Sequence, residues 1–326
     1  MSAFLHYFPG LLLGWGLGAN DTANVFGTAV SSRMVSYRLA VVLAAVCVVL
    51  GAVCQGQPGI RTLSEELRHP ATAPAAAAEQ RALAATITLA AGIAVLVLTR
   101  LALPVSTSQA VVGAILGVGL LEGNANFAGL GKVLICWLAT PLGGALLTVI
   151  LYHLLRLILR RWQPDLFVYD RAMAIALTMA GAYGAYALGA NNVANVAAVF
   201  VGPGMLSVGQ AAGCGGLAIA IGIVTYSKPV MLTVGRGIVR LDAFTALVTV
   251  LAHAIAVHIF AEIGVPVSTS QAIVGAVLGL ALIKGVQTVS LPMLARIVAG
   301  WFATPLLAAA FAAAIYVVAH LQYQAG

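Results

Sequence analysis

A single aspartate and a short row of amides stand where an oily segment would otherwise carry leucine. Asp21, in GANDTAN at 18 to 24, is flanked by Asn20 and Asn24, and a related block, GANNVAN at 189 to 195, supplies Asn191, Asn192 and Asn195. Carboxylate and amide oxygens are hard ligands, so Asp21, Asn24, Asn192 and Asn195 form a candidate sodium site, or Asp21 takes a proton. Gly18, Ala19 and Asn20 would let a helix open there and present carbonyls. A second pair of blocks carries hydroxyls: PVSTSQA at 104 to 110 and again at 266 to 272. Proline at a helix start, a serine or threonine cap and then an apolar run describe a helix N-terminus, with free N–H groups and the positive end of the dipole. Such ends suit an oxyanion. Ser106, Thr107, Ser108 and Gln109 with Ser268, Thr269, Ser270 and Gln271 are therefore candidate anion ligands, together with Asn20 and Asn191.

Catalytic chemistry has no such support. The chain has no HExxH, no paired intramembrane carboxylates and no Ser-His-Asp arrangement, so an enzyme is not expected. Cys47, Cys54, Cys136 and Cys214 lack C-x-x-C spacing, which indicates neither a disulfide framework nor a zinc site. His253 and His258, five apart, fit packing or interfacial roles. No cofactor is expected beyond the coupling ion.

The elements that must position these residues are membrane helices. With 62% hydrophobic and 8% charged residues and a mean hydropathy of +1.04, the chain is no soluble domain. Apolar runs of spanning length, about 20 residues, recur throughout. Ten segments are predicted: 4–31, 38–57, 82–103, 105–121, 131–159, 172–201, 208–226, 243–264, 267–283 and 291–320. Continuous apolar runs without alternation choose helices over a barrel, giving an all-α, polytopic fold in contact with lipid. The N-terminal ten residues hold no lysine or arginine and read as the start of the first helix, not as a signal peptide.

The net charge of +7 belongs to loops, not to a nucleic-acid surface. Of the 16 basic residues, 12 fall in odd-numbered loops and adjoining helix ends: Arg33, Arg38, Arg100, Arg156, Arg160, Arg161, Arg171, Lys228, Arg236, Arg240, Lys284 and Arg296. The positive-inside rule then puts the RRWQPDLFVYDR loop in the cytoplasm and both termini on the extracytoplasmic side of a plasma (inner) membrane.

Three blocks recur in one order. GANDTAN returns as GANNVAN, PVSTSQAVVGAILG as PVSTSQAIVGAVLG, and WLATPL at 137 as WFATPL at 301, at offsets of 171, 162 and 164. Each half is one structural copy: residues 1–160, a cytoplasmic linker at 161–171, and residues 172–326, with 58–81 as an extra stretch in the first. Five segments per copy invert the second relative to the first, and a ligand site lies between inverted copies. If both segments flanking PVSTSQA crossed the bilayer, its hydroxyls would lie far from Asp21. One shared site requires these motifs to be tips of re-entrant hairpins and broken helices.

Each block has a plainer reading: small-residue packing for GAND, simple capping for PVST, and proline kinks at Thr140-Pro141 and Thr304-Pro305. Duplication of both polar blocks favours function. Arg100 and Glu262 each lie four residues before the proline of a PVST block and could pair or gate. A channel could use similar polar rings, but two broken segments from inverted halves fit an enclosed carrier site.

The doubled GAN and PVSTS blocks resemble the inorganic phosphate transporter (PiT) family of cation-coupled secondary anion carriers, over nearly the whole chain. The resemblance implies symport of phosphate with sodium or protons by alternating access, a possible homo-oligomer, Asp21, Asn24 and Asn195 in the ion and substrate region, and both serine-threonine blocks on the anion. Members often carry aspartate in the second GAN block and histidine after the serine-threonine pair. Here Asn192, Gln109 and Gln271 stand instead, one carboxylate fewer. Sulfate carriers of the same superfamily are the alternative.

Overall fold

The computed structural model describes residues 2–66, 77–100, 105–123, 125, 127–202, 204–237, 241–285 and 291–325. Among them it has eleven α-helices and no strand. These are α1 (Ser2–Ser31), α2 (Tyr37–Gln55), α3 (Gln57–Glu66), α4 (Ala77–Arg100), α5 (Thr107–Glu122), α6 (Phe127–Trp162), α7 (Leu166–Val201), α8 (Val208–Gly237), α9 (Ala243–Ile263), α10 (Thr269–Lys284) and α11 (Leu291–Ala325). All ten predicted segments are helices. The eleventh, α3, lies in the stretch set apart as extra in the first half.

Among the described residues, seven helices are long and apolar enough to cross a membrane: α2, α4, α6, α7, α8, α9 and α11. Their outward faces confirm the solvent they are built for. On α6, Leu138, Leu142, Leu146 and Ile150 recur every fourth residue and are all exposed, as are Phe302 and Leu306 on α11. A stripe this apolar has no reason to face water. The chain is an integral membrane protein.

Caps fix several ends. Ser36, Ser106, Asp165, Ser268 and Asp242 accept the backbone N–H three residues on, opening α2, α5, α7, α10 and α9. Gly123 and Gly264, at φ 71° and 77°, close α5 and α9 in the left-handed region that glycine adopts freely. The expected linker at 161–171 is largely helical: α6 runs to Trp162 and the Asp165 cap starts α7 at once, leaving only 163–165 between them. Pro141 and Pro305 sit inside α6 and α11 as expected.

Carried along the sequence offsets of the repeated blocks, α1 pairs with α7, α2 with α8, α4 with α9, α5 with α10 and α6 with α11, and α3 falls outside the series. Their packing is reciprocal: α1 lies on α8 and α2 on α7, while α5 lies on α11 and α6 on α10. Close approach in the first pair of seams depends on glycine. A Cβ at Gly18 would strike the Ile219 carbonyl, and one at Gly189 the Val48 carbonyl. α9 and α10 form a hairpin, since Lys284 Nζ at the end of α10 reaches Asp242 Oδ2 at the foot of α9, 2.9 Å away. At 16 residues each, α5 and α10 are about 24 Å long, short of a hydrocarbon core of about 30 Å.

One expectation is overturned. α1 and α7 run unbroken through GANDTAN and GANNVAN. The Gly18 carbonyl is not released; the Thr22 hydroxyl bonds it at 2.5 Å. Gly18 therefore serves helix packing, because a seam that brings backbone this close leaves no room for a Cβ and no need for the helix to open.

Candidate functional site

Asp21 is 3% exposed at the meeting of the two halves. Its Oδ2 accepts from Asn192 Nδ2 at 3.1 Å and from Thr269 Oγ1 at 2.9 Å, and its Oδ1 accepts from Asn20 Nδ2 at 3.2 Å. Asn192 is the repeat counterpart of Asp21, 171 residues on, so the acid bonds its own duplicate. Among the described residues no lysine or arginine pairs with Asp21.

The hairpin tips interlock around this centre. Ser108 donates to the Val267 carbonyl at 3.1 Å, and its counterpart Ser270 donates to the Val105 carbonyl at 3.3 Å. Asn195 Nδ2 reaches Ser108 Oγ at 2.9 Å and Asn192 Oδ1 at 3.4 Å. Ser268 and Ser270 share a hydroxyl bond of 2.9 Å. Ser106 Oγ and Ser268 Oγ also accept from the N–H of Gln109 and of Gln271, so these two serines hold their helix starts in place. Thr107, Gln109 and Gln271 are buried beside them. The motifs expected to converge do so, with a tip hydroxyl in direct contact with the carboxylate.

Asn191 and Asn24 depart from the pattern. The Asn191 amide is committed: Oδ1 accepts the Val267 N–H at 2.9 Å while Nδ2 donates to the Val267 carbonyl at 2.8 Å and to Asn192 Oδ1 at 2.6 Å. It ties α7 to the second tip, and little of it is left for a ligand. Asn24 is half-buried and joins none of these bonds. Arg100 and Glu262 do not pair. Glu262 instead accepts from Gln55 Nε2 and lies 3.5 Å from His258 Nε2, and His258 also meets Gln55 Oε1 at 2.9 Å and Tyr183 Oη at 2.7 Å.

Sequence reasoning missed the backbone of Val105 and Val267 as acceptors for the opposite tip. Their side chains carry no polar signal; only the duplication could have pointed there. Three of the residues it did name, Asn195, Gln109 and Gln271, have a buried side-chain oxygen with no hydrogen-bond partner among the described residues. Where buried polar groups are paired as a rule, such orphan acceptors are available for ligands.

Comparison with known proteins meets this geometry. A family described as the phosphate transporter family matches residues 17–312. Provisionally named phosphate permeases of Pyrococcus furiosus and Methanocaldococcus jannaschii are each 27% identical, over 94% and 90% of this chain and 93% and 89% of their own. One of Haemophilus influenzae is 24% identical over 95% of this chain and 94% of its own. Among solved structures, one titled the sodium-dependent phosphate transporter has the same fold, with a TM-score of 0.84 at 23% identity, covering 98% of this chain and 100% of that one.

Proposed function

The chain belongs to the phosphate transporter family, and we propose that it is a symporter that moves inorganic phosphate across the membrane with sodium, by alternating access at the Asp21 centre. The observation that carries this reading is Asp21 itself. It is a deep carboxylate whose partners are two amides and a hydroxyl, with no basic side chain among the described residues to neutralise it. An uncompensated charge at that depth costs several kcal/mol, so the positive charge arrives with the cargo. Three donors aim at the carboxylate oxygens, which is how an anion is solvated, and this favours sodium over a proton. The structural neighbour's title names sodium as well.

Asp21 and the free Asn195 Oδ1 are the core of the cation side, with Asn192 and Asn24 at its border. The anion lies against the starts of α5 and α10, where Thr107, Ser108 and Gln109 face Thr269, Ser270 and Gln271 and two positive dipole ends converge. The cation then offsets Asp21, while N–H groups, hydroxyls and the dipole ends solvate the oxyanion in the same desolvated site. This binding logic needs no fixed basic side chain on either half.

The hairpin reading of α4–α5 and α9–α10 leaves α1, α2, α6, α7, α8 and α11 as full crossings. An even number of crossings keeps both termini on one face, and the basic ends of α6 and α10, Arg160, Arg161 and Lys284, mark the cytoplasmic one. The second half is then inverted relative to the first. Uptake of labelled phosphate into proteoliposomes under an imposed sodium gradient tests the reading, with sulfate in excess as competitor. Strong sulfate competition, or uptake driven equally by a proton gradient alone, would overturn the assignment of cargo or of ion.

A further inference from the structure

Among the described residues, four buried polar atoms near the hairpin tips have no hydrogen-bond partner: Gln109 Oε1, Gln271 Oε1, Trp137 Nε1 and Trp301 Nε1. They fall into two repeat-related couples. α10 runs parallel to α6, with a Cβ at Gly275 colliding with the Pro141 carbonyl and one at Gly279 with the Ala145 carbonyl. One turn back on both helices, that register sets Gln271 level with Trp137. α5 runs along α11 in the same way, Gly113 against Pro305 and Gly117 against Ala309, which sets Gln109 level with Trp301. The tryptophans open the repeated WLATPL and WFATPL blocks, for which proline kinks explain only the last residues.

An indole N–H donates and never accepts, so the one atom of a glutamine amide it can meet is the carbonyl. We propose that Trp137 and Trp301 are positioning residues for anion specificity: each indole takes the carbonyl of its glutamine as the tip closes on substrate, and so turns the amide NH2 toward the oxyanion. The inference rests on the oxyanion-symport reading above. A glutamine left to itself is ambivalent, since its carbonyl suits a cation and its NH2 an anion. The indole removes the ambivalence in both halves. It leaves the cation to Asp21 and Asn195 and gives the anion N–H donors that carry no charge. An unpaired buried donor at the level of an unpaired buried acceptor is also an arrangement that a small closing movement relieves.

The test separates phosphate from sodium. In proteoliposomes, Trp137→Phe and Trp301→Phe keep the ring and lose the N–H. Each is expected to raise the half-saturating phosphate concentration about tenfold, the effect of one neutral hydrogen bond at the upper end of its range, without a matching rise for sodium. Trp137→His, which retains a ring N–H, is expected to recover part of the loss. An unchanged phosphate requirement in folded Phe variants, or a rise for sodium alone, would overturn the proposal. Wild-type uptake reports separately on the symport reading. A transport-free readout uses detergent-purified Trp15→Phe/Trp162→Phe protein, in which Trp137 and Trp301 are the remaining indoles. Added phosphate or sulfate is expected to shift their emission, and Gln109→Met/Gln271→Met to abolish the shift. No shift with either anion would defeat the proposal even if phosphate is not the cargo.

Discussion

Thr269 Oγ1 lies 2.9 Å from Asp21 Oδ2, joining residues 248 positions apart. The counterpart threonine, Thr107, faces a half whose equivalent acid is an asparagine, Asn192. The two tips are alike in sequence, and the acid stands on one side only.

That asymmetry predicts unequal effects. Thr269→Val removes a hydrogen bond to a carboxylate, worth about 1.5–3 kcal/mol, and is expected to raise the half-saturating sodium concentration by about 10- to 100-fold. Thr107→Val should change it far less. Sodium-dependence curves in proteoliposomes measure both, and equal shifts would remove Asp21 from the cation site.

On the proposed reading the Asp21 charge recruits the cation, so Asp21→Asn is expected to abolish gradient-driven uptake. Because Asn192 is the duplicate of Asp21 and touches it, Asp21→Asn/Asn192→Asp puts the acid back from the other half. Partial recovery of sodium-driven uptake is the expected result. Full activity in the single mutant would contradict the assignment.

The ties between tips should be read in stability. Ser108→Ala and Ser270→Ala each lose one bond to the opposite hairpin and are expected to cost about 1 kcal/mol. Asn191→Ala loses three bonds and leaves the Val267 N–H unpaired, with the Val267 carbonyl held by Ser108 alone, so its melting temperature in detergent should fall further than that of either serine variant.

The parallel seams make a steric prediction. Gly275→Leu drives a side chain into the Pro141 backbone, and overpacking of this kind costs about 1–3 kcal/mol; a lower melting temperature or loss of monodisperse protein is expected. Gly143→Ala, with nothing within 4 Å of the new Cβ, is the control that should behave as wild type.

The foot of the α9–α10 hairpin carries the fifth prediction. Partial burial raises the Asp242 pKa, but the Thr245 N–H and Lys284 more than offset it, and the carboxyl ionises below its ordinary 3.8. A depressed pKa contributes stability above the unfolded value and loses it as pH falls through the folded one, so the contact should hold at neutral pH and weaken only in strong acid. In a background cleared of native cysteines, Asp242→Cys and Lys284→Cys should label from the same side of the membrane. Labelling from opposite sides would mean that α10 crosses it.

Much of this was legible in the residues. The doubled polar blocks are plain in the residues, and so is the conflict between a deep Asp21 and a surface-bound PVSTSQA, which one shared site resolves only with hairpins. Other features have no local signature. α3 begins with Gln57, Pro58 and Gly59 and lacks the apolar run that marked its neighbours. The start of α7 at Leu166, six residues before the predicted segment, depends on a cap at Asp165 inside a charged stretch. Ser108 finds the Val267 carbonyl 159 residues away, and no rule of spacing connects a hydroxyl to a backbone group in the other copy. Asn191 looked like a ligand because its type is right; only its saturated bonds show that it is a fastener.

The unbroken course of α1 and α7 carries a consequence for how such a protein changes over time. On the symport reading, with the main chain there engaged along the helix, the ion's lost hydration is replaced by side-chain oxygens, each set by one codon. A lineage could therefore exchange its fuel, or the number of ions spent per cycle, through a single replacement at a position such as Asn192, while the surrounding scaffold stays as it is.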